Sequence, residues 1–344
     1  MTQRLGVLTG GGDCPGLNAA IRAIVRAGDQ TNIQVLGFPN GWEGVIDGEQ
    51  TTLTTEWTRG LLHRGGTVLG TSRVDPYREE GGIAKIKETM EVNRLDGLIV
   101  IGGEGTLAAT ARLHEDEGIP AIGIPKTIDN DVGGTDFTIG FMTAVEVATD
   151  AVDRLHTTAE SHHRIMVLEV MGRHAGWIAT FAGMAGGADA ILIPEIPFDI
   201  DEVARHLRHR HASGRDFSIV VVAEGAAPKP GTLEIAKVPK DEFGRPRLGG
   251  IGFTIAHEIE ERTGIETRVT VLGHVQRGGS PVPFDRAIAT RFGVKAVTLA
   301  AEGKWGMMTG LVGAKVEPVP LDEATRELKP VPPSLYRVAE RFFG

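Results

Sequence analysis

Leu98-Ile99-Val100-Ile101-Gly102-Gly103-Glu104-Gly105-Thr106 joins four apolar residues to a glycine-rich turn, and a helical pattern follows over 107–113. A short apolar run closed by glycines predicts a buried strand. Strand, glycine turn and helix in that order is how an α/β fold offers backbone N–H groups to an anion. The same order occurs near the start of the chain. Leu5-Gly6-Val7-Leu8-Thr9 reads as a strand and Gly10-Gly11-Gly12-Asp13-Cys14-Pro15-Gly16 as a turn. A helix follows over 17–27, with Ala20, Ile21, Ile24 and Val25 on one side. Neither turn spells G-x-G-x-x-G or G-x-x-x-x-G-K-[ST], which takes weight from the dinucleotide and Walker-type folds. Further strands are predicted over 33–38, 121–124, 165–170, 190–194, 217–223 and 267–272. Helices are predicted over 141–156, 203–211, 252–263 and 285–301. Short apolar strands alternating with helices predict an α/β protein with parallel sheets, two of them.

A chain of 344 residues has room for two domains, and its 47 glycines point to many tight turns and close backbone approaches. Acidic residues outnumber basic ones, 45 to 36, which argues against a general nucleic-acid surface. The single cysteine, Cys14, allows no internal disulfide and suits a reducing cytoplasm. No signal-peptide core and no run apolar enough to span a membrane is read, so no membrane partner is expected.

The strand over 121–124 runs into Pro125-Lys126-Thr127-Ile128-Asp129-Asn130-Asp131. Two carboxylates, a hydroxyl, an amide and a lysine fall within this stretch. Carboxylates this close perturb one another unless a cation or metal intervenes. A polar loop rich in Asx-turn residues would use the same composition. The surroundings favour phosphate chemistry. Glycines, hydroxyls and arginines alternate through Arg64-Gly65-Gly66-Thr67 and Leu69-Gly70-Thr71-Ser72-Arg73, and arginine offers phosphate a bidentate fork. Glu104 is either a holder of Mg²⁺ on a polyphosphate or a partner of the helix dipole. Arg173 again follows a strand beside glycine, and Gly273-His274-Val275-Gln276-Arg277-Gly278-Gly279-Ser280 is a third polar turn. Trp42 reads as core, and Cys14 as a small residue near the turn with no histidine partner. The adjacent His162 and His163 diverge on a helix and speak only weakly for a metal. The basic 203–211 helix reads as a solvated face. The polar stretch 226–250 reads as a surface excursion of hairpin composition.

Thr9 to Asn18, Gly102-Gly103-Glu104-Gly105-Thr106, Pro125 to Asp131, Met171-Gly172-Arg173 and Leu272 to Gly279, in that order, closely resemble the bacterial 6-phosphofructokinase family. The resemblance runs nearly end to end and looks most like the actinobacterial branch. It implies two Rossmann-like three-layer α/β/α domains with mainly parallel sheets. Residues 1–140 plus about 276–326 would form a larger nucleotide-binding domain, and about 141–275 plus 327–344 a smaller sugar-phosphate-binding one. The implied reaction converts fructose 6-phosphate and Mg-ATP to fructose 1,6-bisphosphate and ADP. On that resemblance Asp129 accepts the proton of the sugar 1-hydroxyl, and Thr127 contacts the transferring group. Arg73 and Arg173 neutralise charge, and Lys126 adds a cation nearby. Asp131 supports the metal or its water shell, and Glu104, where many members have Asp, helps bind Mg²⁺. Gly11, Gly103, Glu104, Gly105 and Thr106 would hold nucleotide phosphates, with Tyr77 and Arg78 near the base or phosphates. Met171, Gly172, Arg173, Glu224, His274, Gln276 and Arg277 would read the sugar phosphate. Arg164 and Arg268 match arginines that reach a neighbouring subunit's substrate, so a homotetramer with shared active sites is expected.

Family members that use pyrophosphate typically carry Asp at position 105 and Lys at 126. This chain has Gly105 and Lys126, which point opposite ways. An acid at 105 would repel a nucleotide, whereas a lysine nearby only adds charge, so ATP is expected and pyrophosphate is the alternative donor. Arg22 and Arg26 match an effector site in the family. His156 and Ser213 stand where arginine and lysine are usual, so that site would be weaker or tuned differently. A non-catalytic sensor of nucleotide and sugar phosphate is the rival of another class, and the intact Asp129, Asp131 and Arg173 argue against it.

Overall fold

The computed structural model describes residues 3–233 and 249–343. The chain begins β1 (Gln3–Gly10), α1 (Leu17–Gln30), β2 (Ile33–Gly37), α2 (Trp42–Asp47), β3 (Thr51–Leu53) and α3 (Gly82–Asn93). It continues β4 (Gly97–Gly102), α4 (Glu104–Glu115), β5 (Ala121–Pro125), α5 (Phe141–His162), β6 (Ile165–Val170) and α6 (Trp177–Ala185). Then come β7 (Ala190–Leu192), α7 (Ile200–Ala212), β8 (Ser218–Ala223), α8 (Ile251–Thr263), β9 (Thr267–Val271) and a 3₁₀ turn, Gly273–Arg277. The chain closes with α9 (Pro283–Ala301), β10 (Met307–Val312), β11 (Lys315–Pro320), α10 (Leu321–Arg326) and α11 (Pro333–Glu340). These elements fall into two compact units, Met1–Thr143 with Arg277–Lys329, and Ala144–Gln276 with Pro330–Gly344.

The first unit holds a seven-stranded sheet in the order β11-β10-β5-β4-β1-β2-β3. Its inner strands are parallel, and both edges, β11 and β3, are antiparallel. Pleating sends alternate side chains to opposite faces. Leu8, Leu36, Leu98 and Val100 therefore share one core with Trp42, Ile46, Ile86 and Met90 of α2 and α3. The helices α1 and α9 pack against each other, α1 also on β2 and α9 on β5 and β10. Burial on both faces explains why β4 reads as an unbroken apolar run. The edges were missed in the sequence because β11 is short of apolar residues and carries Pro318 and Pro320, tolerated only where a strand faces no partner on one side.

The second unit holds a parallel sheet in the order β7-β8-β6-β9. Ile165, Val167, Val220 and Val222 meet Ile200 and Leu207 of α7 and Ile255 and Ile259 of α8. Of the basic run in α7, Arg205, Arg208, His209 and His211 are exposed, as expected of a solvated face, and Arg210 is the exception. Arg210 is 8% exposed, and its guanidinium lies 2.5 Å from the Asp189 carboxylate. Burial pushes the Asp189 carboxyl up, opposed by the Ile219 N–H and by Arg210. Of the 226–250 excursion, residues 234–248 lie outside the described residues. Among the described residues no helix is long and apolar enough to cross a membrane.

Candidate active site

The first unit brings three of the predicted stretches together at the carboxyl ends of β1, β4 and β5. Thr106 packs into the space left by two missing side chains. A Cβ on Gly10 would fall 2.7 Å from Thr106 Cγ2, and one on Gly102 would fall 2.5 Å from Thr106 Cβ. Gly103 precedes α4, whose first turn holds Glu104 and Gly105, both exposed. The first amides of a helix have no acceptor within it, and helix N-termini offer such amides to anions. Lys126 does not project into solvent as an expected catalytic cation would. It is 2% exposed, and its ammonium donates to Gly10 O at 2.9 Å and Gly12 O at 2.5 Å. Burial pulls its pKa down to about 8, with Arg277 pulling the same way and Cys14, Asp13 and Asp131 pushing back. Lys126 thus ties the loop after β5 to the turn after β1.

The rest of that loop is anchored by Thr138. Thr138 Oγ1 donates to Thr127 O at 2.6 Å, and Thr138 N–H donates to Asn130 Oδ1 at 3.0 Å. Thr127 Oγ1 accepts from the Asp129 N–H at 3.1 Å. Asp129 and Asp131 are half-buried, and the Asp131 carbonyl accepts the Lys329 N–H at 2.9 Å. Arg277 donates to Asp13 O at 3.2 Å, beside Gly12. Gly11 is held by Thr71 Oγ1 on its carbonyl, 2.6 Å, and by Ser72 O on its N–H, 2.9 Å. Arg73 is exposed. Cys14 is fully buried and donates to Ile139 O at 3.3 Å, and burial pushes its thiol up to about 12, which suits the structural reading over a nucleophile.

Tyr77 departs from its expected place beside a nucleotide. Its ring packs on the core of β1, β2 and β4, and the Arg112 guanidinium covers one face at 3.7 Å, so that face is closed to a base. Arg78 is exposed and pairs with Asp75 at 3.4 Å. No three His, Cys, Asp or Glu side chains converge on a cation site among the described residues. Mg²⁺ is ordinarily held by one or two carboxylates together with phosphate oxygens and waters, which an exposed Glu104 at a helix N-terminus fits.

In the second unit, Met171, Gly172 and Arg173 follow β6. A Cβ on Gly225 would lie 2.0 Å from Arg173 O, so glycine there lets the two strand ends close. Glu224 N–H donates to Val170 O at 2.8 Å. Gln276, expected to contact substrate, is fully buried. Its Oε1 accepts the Met171 N–H at 3.3 Å and its Nε2 donates to Gly273 O at 3.0 Å, so it braces the turn. His274 is exposed. Arg164 and Arg268 both pair with Glu266, Arg164 at 2.8 Å. The close Arg164 guanidinium, aided by Arg268, holds the Glu266 carboxyl low. Two guanidiniums on one carboxylate leave a net positive, pre-ordered pair. Of the effector candidates, Arg22 is half-buried with its pKa lowered by burial and by Arg26. His156 Nε2 lies 2.6 Å from Gly186 O, and Ser213 Oγ donates to His209 O.

A family model described as Phosphofructokinase matches residues 4–300. A pyrophosphate–fructose 6-phosphate 1-phosphotransferase of Amycolatopsis mediterranei is 54% identical over 344 residues, covering 99% of this chain and 100% of the relative. An ATP-dependent 6-phosphofructokinase of Mycobacterium tuberculosis is 52% identical over 344 residues, again covering 99% and 100%. The crystal structure of Pichia pastoris phosphofructokinase in the T-state superposes with a TM-score of 0.83 at 35% identity, covering 95% of this chain and 36% of that one.

Proposed function

Because the chain belongs to the phosphofructokinase family, we propose that it transfers the terminal phosphoryl group of ATP to the 1-hydroxyl of fructose 6-phosphate. The observation that supports this best is the loop after β5, where Thr127, Asp129 and Asp131 are fixed beside two glycine turns that offer backbone amides. Asp129 orients the sugar hydroxyl and takes its proton. The hydroxyl oxygen forms a bond to the γ-phosphorus while the bond to the bridging oxygen breaks, leaving ADP. Such transfers depend mainly on positioning and on stabilising charge. Glu104 would hold Mg²⁺, which supplies charge neutralisation on the phosphates. Arg73 and Arg173 meet the charge on the transferring group, and Thr127 contacts it. Gly11 and the turn 103–106 hold the donor phosphates.

Met171, Gly172, Arg173, Glu224, His274 and Arg277 bind the sugar phosphate. Arg164 and Arg268, already ordered by Glu266, serve the 6-phosphate of a neighbouring subunit in a homotetramer. A cytoplasmic enzyme with an effector site weakened at His156 and Ser213 completes this reading.

Gly105 supports ATP, since the exposed first turn of α4 carries no side chain against a nucleotide. Pyrophosphate is the second reading, favoured by Lys126 and by the name of the Amycolatopsis relative. Product formation from fructose 6-phosphate and Mg²⁺ is measured with each donor in turn. Turnover with ATP and none with pyrophosphate is expected, and turnover with pyrophosphate alone would overturn the choice of donor.

A further inference from the structure

Asp285 lies in the first turn of α9, fully buried and outside every role assigned above. Its Oδ2 accepts the Thr143 N–H at 2.8 Å and the Thr143 Oγ1–H at 2.5 Å, and its Oδ1 accepts the Gly140 N–H at 3.1 Å. Burial pushes its carboxyl up to about 6, and these three donors pull the other way. Burying a carboxylate is costly unless its lone pairs are met. Here they are met by the entry to α5, whose first amides have no partner inside the helix.

Residues 138–140, just before α5, form a strap along the loop after β5. Ile139 N–H donates to Pro125 O at 3.1 Å, and Ile139 pairs in parallel with Lys126. Thr138 holds Thr127 on one side of Asp129 and Asn130 on the other. Asn130 needs that hold, because its φ of 52° lies in the left-handed region. Asp285 fixes the far end of the strap.

We propose that Asp285 is a positioning residue for Asp129, acting through Gly140, Thr143 and the strap 138–140. The inference rests on Asp129 being the base. An asparagine at 285 would present one acceptor and an NH₂ group where the site offers two backbone N–H donors and a hydroxyl that also accepts from Val282, so one end of the strap would be released. A misplacement of about 1 Å in such a geometry costs roughly 10²-fold in rate.

Initial rates with fructose 6-phosphate and Mg-ATP are compared for the wild type, Asp285→Asn, Thr143→Val, Thr143→Ser and Asp129→Asn. They are normalised to ATP-binding sites counted on the same samples. Asp285→Asn is expected to lower kcat about 10²-fold with both KM values within about twofold, the pattern of an interaction that matters at the transition state. Thr143→Val should fall in the same direction, and Thr143→Ser, which keeps the hydroxyl, should recover. If Asp285→Asn does not fold, the Thr143 pair decides. Wild-type kcat in Asp285→Asn and Thr143→Val, with Asp129→Asn inactive, would overturn the inference and leave the base in place. A Thr143→Ser enzyme no better than Thr143→Val would overturn it as well. Full activity in Asp129→Asn would instead remove the base assignment on which the inference stands.

Discussion

The turn after β1 in the first unit and the turn after β6 in the second are both held from beneath by a single buried side chain, but the two braces differ in charge. Lys126 spans the carbonyls of Gly10 and Gly12 with an ammonium. Gln276 spans Met171 and Gly273 with a neutral amide. Either group fixes peptide orientation. Only the ammonium also lends positive charge to the turn proposed to bind phosphate, and only the ammonium titrates. The brace on the proposed donor side therefore titrates, and the brace on the proposed sugar-phosphate side does not.

The sharpest way to break this comparison is to remove the chemistry and keep both braces. Asp129→Asn should lower kcat by about 10²- to 10⁴-fold, the usual worth of a general base, with the melting temperature and both KM values near wild type. A large KM change would mean that the loop binds more than it catalyses. Next comes Arg210→Met, which leaves the buried Asp189 carboxylate in the second unit without this guanidinium. Calorimetric or denaturant unfolding should show a loss of about 3–5 kcal/mol, with the KM for fructose 6-phosphate held. A KM rise without destabilisation would place this charge pair in the site.

Lys126→Met tests the charged brace through pH. The ammonium is disfavoured in the folded state, since its pKa falls to about 8 from 10.5. Between those values the unfolded chain binds more protons, so the wild type gains stability as pH rises from about 8 to 10.5, by about 3 kcal/mol in all. Below pH 8 this contribution is constant. The Met variant should lack that rise when unfolding is followed across the window, and an identical slope would count against the burial of the charge. The smallest effect belongs to Gln276→Leu. The substitution removes both hydrogen bonds of the amide, and loss of the one that orients the Met171 N–H, worth about 1 kcal/mol, should raise the KM for fructose 6-phosphate by about fivefold.

The inner strands were legible because burial on both faces forces continuous apolar runs such as Leu98 to Ile101. The polar loop after β5 and the glycine turns were legible as turns because their residue types are costly inside a strand or helix. What the sequence hid were the partners. The acceptors of Lys126 lie more than a hundred residues away in the chain, so its spacing carries no sign that the ammonium points inward. Gln276 resembles a contact residue until both ends of its amide are seen to be used. Asp285 reads as an ordinary acid in the first turn of a helix. Arg210 did leave a trace. Ile200, Ala204, Leu207 and Arg210 recur at helical spacing and are all buried, which places the arginine on the apolar face of α7.

The packing of Thr106 against Gly10 and Gly102 also bears on how this protein can change over generations. Three positions far apart in the gene share one small volume. A methyl group gained at 10 or 102 is blocked while threonine stays at 106, and trimming 106 first opens a void beneath the donor turn. Single steps at 10 or 102 therefore meet Thr106 first, and trimming 106 beforehand costs the packing of its side chain. Paired libraries, with alanine at 102 and glycine at 106, would show whether a different phosphate donor is reachable from this backbone.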